Sequence, residues 1–172
     1  MTEVLNIYVR GEPHAQPRAR ARAIPCGGKW NGQQKWTATM YHAEKEDGKT
    51  LPWVYWRTQL EFAIRAGWKG DKLDEPVRID IDFYFPRPLY MLKPSSPRPA
   101  IPMSVKPDID NLAKLTYDVL KNLGVLFDDG RVCQGEVCKW YAAIGDSPGA
   151  RIVVSTLSDQ AALFEQPKEV IL

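Results

Sequence analysis

Between Pro86 and Pro107 the chain carries seven prolines in 22 residues. Proline lacks the backbone donor, fixes its own φ and keeps its predecessor out of the helical region. This stretch can therefore be neither a central strand nor a helix, and the sequence predicts a surface loop over 86–107. Regular structure must lie to either side of it. Before it, VRIDIDFYF from Val77 to Phe85 alternates strictly, with Val77, Ile79, Ile81, Phe83 and Phe85 on one side and Arg78, Asp80, Asp82 and Tyr84 on the other. That is a strand with one core face and one wetter face. After it, Leu112, Leu115, Val119, Leu120 and Leu123 make an apolar stripe that predicts a helix from Asn111 to Leu123, with Gly124 as its stop.

The remaining elements read less sharply. Val4 to Val9 alternates and ends at Gly11 and Pro13, a first strand. Val54 to Gly67 has helical spacing at Trp56, Leu60, Ala63 and Ile64. Strands are expected near Val132–Ala143 and Arg151–Thr156. From Glu12 to Pro52 the chain is polar, basic and broken by Pro and Gly, which predicts a long basic loop. The last 16 residues, from Leu157, read as a peripheral tail. At 172 residues the chain suits one hydrophobic core rather than two. The expected fold is an α/β (α+β) single domain over 1–156, a mixed β-sheet packed by helices.

Net charge is only +2, but its distribution is uneven. Met1 to Lys35 holds six cations against two acids, and Arg87 to Lys106 holds four cations and no acid. Arg18, Arg20 and Arg22 alternate, so an extended chain would aim them to one side. With Lys93, Arg98 and Lys106 they are the candidate phosphate contacts. No signal peptide or membrane-length apolar run is visible, and the three cysteines are too few for a disulfide framework. A cytoplasmic protein with no membrane partner is expected. Cys133 and Cys138 match no usual zinc spacing and are expected to be packing residues.

The chemistry-bearing stretch is Lys106-Pro-Asp-Ile-Asp-Asn-Leu-Ala-Lys114, then Asp118, then Phe127-Asp-Asp-Gly130. If Asp108 to Asp110 is extended, both carboxylates share one side, whereas inside a helix they would sit about 200° apart. Asp110 is then expected as the N-cap, with Lys114 and Asp118 following at steps of four on the same helix face. Carboxylates gathered at one point need a compensating cation, and oxygen-only ligands suit Mg²⁺ or Mn²⁺. Each piece also has a plainer reading, since Asp commonly caps helices and Asp-Asp-Gly commonly makes a turn.

These three pieces resemble the RusA signature, roughly PDxDNxxK, DAL and DDxxV in order, and Gly11-Glu-Pro-His-Ala-Gln-Pro-Arg is similar to that family's early Gly-x-Pro followed by basic residues. The resemblance covers most of Val4 to Thr156. It implies a homodimeric, Mg²⁺-dependent endonuclease, with Mn²⁺ a possible substitute, that resolves Holliday junctions by symmetric nicking of four-way DNA. It further implies that Asp108, Asp110 and Asp129 are the metal-binding catalytic acids, with Asp128 beside them, and that Lys114 is the catalytic lysine. A bacterial or phage-encoded, cytoplasmic setting follows by the same resemblance. A broader branched-DNA or flap nuclease and a non-catalytic junction-binding module are the alternatives.

Overall fold

The computed structural model describes residues 1–157. In chain order the elements are β1 (Thr2–Arg10), β2 (Arg20–Trp30), β3 (Gln33–Tyr41), β4 (Lys45–Glu46), β5 (Lys49–Thr50), α1 (Pro52–Gly67), β6 (Val77–Phe85), β7 (Ile101–Pro102), α2 (Ile109–Asn122), β8 (Val132–Gln134), β9 (Val137–Tyr141) and β10 (Gly149–Thr156).

The alternation of β6 is borne out residue by residue: its five apolar side chains are buried and the four between them are not. That strand is the centre of a six-stranded sheet ordered β1-β10-β6-β9-β7, with β8 also on β6. β10 runs antiparallel to β6, while β8 and β9 run parallel to it. The sheet is therefore mixed, as expected of the fold class. Parallel neighbours need a crossover, and the proline-rich loop followed by α2 supplies it.

Both helices contribute to the cluster under the sheet: Trp53, Trp56, Leu60 and Ile64 from α1, and Leu112, Leu115, Val119 and Leu120 from α2. Pro52 occupies the first turn of α1, where its missing N–H costs nothing. The expected strand over 132–143 is split in two. At Gly135 an added Cβ would stand 2.1 Å from the Ile79 carbonyl oxygen, so this close crossing of backbones needs glycine and interrupts the ladder. Cys133 is exposed there rather than packed.

Two expectations are corrected. Residues 12–52 are not a plain loop, because β2 and β3 form a hairpin. Its turn is Asn31-Gly32, both with positive φ (49° and 76°), the dipeptide that such tight hairpin turns favour. Neither face is buried in the core, so burial periodicity gave no cue and only the turn dipeptide signalled it. The proline-rich segment is also not wholly irregular: Ile101–Pro102 joins the sheet edge beside β9, where proline's missing donor can face outward. Leu157, expected to start the tail, is buried and donates its N–H to the Pro76 carbonyl at 2.9 Å. Residues 158–172 of that tail lie outside the described residues.

Candidate active site

The buried stripe of α2 fixes which residues it presents to solvent. Asp110, Lys114, Tyr117 and Lys121 recur at spacings of three and four, so they form a ridge along the helix. Asp110 and Lys114 are exposed, and Tyr117 and Asp118 are partly covered. Burial beside Asp80 pushes the Tyr117 hydroxyl above its ordinary pKa, so it stays protonated at neutral pH.

The start of the helix differs from the expectation. α2 begins at Ile109, so Asp108 holds the N-cap position with extended backbone (φ −70°, ψ 137°) and Asp110 lies in the first helical turn. A carboxylate there is favoured by the unpaired N–H groups and the helix dipole, so nothing expels Asp110 from the helix. The period-two argument for a shared side therefore lapses. The Asp108 carboxylate accepts no capping bond. Asp108 thus stands at the cap position without capping, which removes the plain explanation for its presence.

The second acidic pair sits at the other end. After α2 the chain turns through Gly124 (φ 74°), and buried Val125 and Leu126 carry it to Asp128 and Asp129. Asp128 accepts the Gly130 N–H at 3.0 Å and opens a single 3₁₀ turn, Asp129–Arg131. Lys121 bridges both acids, its Nζ 2.9 Å from Asp128 Oδ2 and 3.2 Å from Asp129 Oδ1. The Lys121 ammonium, helped by the Gly130 amide, holds the Asp128 carboxyl down at about 2. The same contacts raise the Lys121 pKa.

About 16 Å of helix rise separates Asp110 from Lys121, so the two acidic pairs belong to opposite ends of the ridge. Among the described residues no three His, Cys, Asp or Glu side chains gather closely enough to hold a metal ion. The expected convergence of Asp108, Asp110 and Asp129 is thus not present in the single chain. The donors are of the right chemistry for Mg²⁺, all carboxylate oxygens, but their placement is not a ready-made divalent site. The cation that accompanies Asp128 and Asp129 is Lys121 rather than Lys114. Helical arithmetic could have singled it out, because Lys121 is two turns beyond Lys114.

The N-terminal end of the ridge borders a cleft of about 350 Å³ whose walls include Glu12, His14, Pro86, Lys106 and Pro107. The early Gly-x-Pro motif is thereby brought against the residues that precede Asp108. Lys139 on β9 donates to the carbonyls of Val105 and Pro107, each at 2.7 Å, and so pins the chain entering the acidic motif. Glu12, His14 and Lys139 were not legible as neighbours of this motif from sequence, because only the sheet registers bring them there.

The basic candidates divide into two sets. Arg20 and Arg22 lie on β2, two residues apart and so on one face of the hairpin, and Arg18 precedes the strand. Lys93, Arg98 and Lys106 are exposed on the proline-rich loop.

A mixed-sheet domain with an acidic pair at each end of one helix, together with a basic hairpin and a basic loop, is the outline of a nucleic-acid-processing domain. The family model for endodeoxyribonuclease RusA matches residues 10–155 of this chain. The chain belongs to the RusA endodeoxyribonuclease family, whose members act on Holliday junction DNA. No curated protein matches it. No helix of the described residues is long and apolar enough to cross a membrane.

Proposed function

We propose that this protein is a structure-selective endodeoxyribonuclease that resolves four-way DNA junctions by paired nicks, acting as a homodimer in a bacterial or phage setting, in the cytoplasm. The observation that carries the reading is the family match over residues 10–155, which contains the whole acidic motif. Asp108, Asp110 and Asp129 are the proposed catalytic acids, with Asp128 as their neighbour, and Lys114 is the proposed catalytic lysine. That Asp108 and Asp110 are exposed and uncapped supports a chemical rather than a structural use.

Mg²⁺ is the proposed cofactor and Mn²⁺ its substitute, on the strength of the oxygen-only donors. Among the described residues no three of these donors gather closely enough to hold the ion by themselves. What the chain's own residues do is narrower. Lys114 sets a cation one helical turn from Asp110, where it can meet a phosphate oxygen. Lys139 fixes the backbone that leads into Asp108. Arg18, Arg20 and Arg22 on the hairpin arm, with Lys93, Arg98 and Lys106 on the loop, contact DNA phosphates; a two-stranded ribbon fits the major groove.

The test is a nicking assay on synthetic four-way junctions with Mg²⁺, Mn²⁺ or EDTA, competed with linear duplex. Paired nicks with a divalent ion and none in EDTA are expected. Binding that persists in EDTA with no nicks under any ion would leave only a junction-binding module. Equal cutting of flaps and junctions would favour the broader nuclease.

A further inference from the structure

The proline-rich segment holds the most exposed large apolar side chain of the described residues, with two more beside it. Leu89 is 87% exposed, Tyr90 63% and Leu92 48%, all on or beside a single 3₁₀ turn, Leu89–Met91. Water-facing apolar residues at a loop tip are costly unless something covers them or uses them.

This tip is not slack. Arg87, two residues before it, donates its Nε to the Ala142 carbonyl at 2.7 Å and its Nη1 to the Pro97 carbonyl at 2.6 Å. Its Nη2 reaches the Pro99 carbonyl and, at 3.5 Å, that of Arg98. One guanidinium thus clips the outgoing and returning limbs of the loop to each other and to the end of β9. The far limb is anchored in turn by Lys139 on Val105 and Pro107. A rigidly mounted apolar tip loses little conformational entropy when it inserts into something.

Its surroundings indicate what that is. From Pro86 to Pro107 there are four cations and no carboxylate, so the segment that carries the tip is uniformly positive and suits a polyanion. Pro86 also lines the cleft shared with Lys106 and Pro107, the two residues that precede Asp108 in the chain. Leu89 lies three residues from Pro86, so it stands within about 11 Å of that wall. Apolar wedges flanked by cations are how proteins unstack base steps.

We propose that Leu89 and Tyr90 form a wedge that inserts at the branch point of junction DNA and unstacks the base step beside the strand to be cut. The occupant is a base-pair step, and Lys93, Arg98 and Lys106, whose side chains are exposed, hold the flanking phosphates. This rests on the junction-nuclease reading above and adds to it the element that distinguishes a branch from continuous duplex.

The test uses a four-way junction carrying 2-aminopurine at the branch point, with the full-length protein in EDTA so that nothing is cut. Wild type should bind and brighten the probe, as an unstacked base does. L89S/Y90S should lose at least half of that brightening. Its preference for junction over linear duplex should fall by about tenfold, while duplex binding changes by less than about twofold, since that rests on phosphates. L89M, which keeps an apolar tip, should retain the signal. Circular dichroism identical to wild type secures the comparison, because both side chains touch mainly solvent.

Brightening that is undiminished in L89S/Y90S overturns the wedge, as does an equal loss of junction and duplex binding. So does a shift of the double variant from dimer to monomer in sedimentation, which would make the tip a contact between copies. Wild type that fails to bind or nick junctions would instead defeat the nuclease reading, an outcome separate from the variant's behaviour.

Discussion

The two ends of α2 carry the same residue type in opposite circumstances. At the N-terminal end Asp108 and Asp110 are exposed, and neither is spent on capping. At the C-terminal end Asp128 and Asp129 are tied to Lys121, and Asp128 also accepts the Gly130 amide. The first pair sits on the positive end of the helix dipole with negative charge still to give. The second shares the one ammonium of Lys121 and helps to close the turn. Acids in one motif therefore differ in what they are free to bind, and the difference is set by which lysine the helix brings alongside.

The largest expected effect tests the free pair. Asp110→Asn should lower junction nicking by about a thousandfold or more, roughly 4 kcal/mol of transition-state stabilisation. Its melting temperature should stay near wild type, since no contact is lost. Metal-dependent cutting retained at wild-type rate in this variant would sink the catalytic assignment.

Next is the seat common to both ends. Leu120 is fully buried, so Leu120→Ala leaves a cavity in the core beneath α2 while its backbone carbonyl still accepts the Val125 and Leu126 N–H groups. A loss of about 3 kcal/mol in denaturant unfolding is expected. A cost under about 1 kcal/mol would mean that the core closes over the lost side chain.

Smaller still is the effect at the pair tied to Lys121. In Lys121→Ala the Asp128 carboxyl should climb from about 2 toward the ordinary 3.8, read by side-chain carboxyl NMR against pH. The sign follows from a depressed folded pKa. The pair's stabilisation is present above the unfolded carboxylate pKa and is lost as pH falls through about 2. An unmoved titration would leave the Gly130 amide as its cause. The least effect is on the arm: replacing Arg20 and Arg22 by Ala should reduce the salt slope of DNA binding by about 2, because two phosphate contacts go. An unchanged slope would take the hairpin out of the interface.

Elements that bury a regular face were legible in the sequence. β6 announced itself by strict alternation, and α1 and α2 by their stripes, because burial selects residue type at every second or every third-and-fourth position. The hairpin escaped because all the described side chains of β3 are exposed, so its strands are held by their own ladder and leave no burial pattern. The acidic motif was legible as chemistry and as a family signature. Its geometry was not: the start of α2 moved two residues, and with it Asp110 passed from cap to first turn.

The sequence alone determined that a proline-rich loop separates a central strand from an amphipathic helix, and that five acids cluster along 22 residues around that helix. Local sterics and burial periodicity suffice for both. Only the tertiary structure decided that Lys121 serves Asp128 and Asp129, that Lys139 holds the entry to Asp108, and that Arg87 clips the loop carrying Leu89. Each of the last two joins residues at least 10 apart in sequence, and the first needs the chain to fold back along α2. Such pairings depend on sheet register and on how the chain returns, which no local pattern encodes.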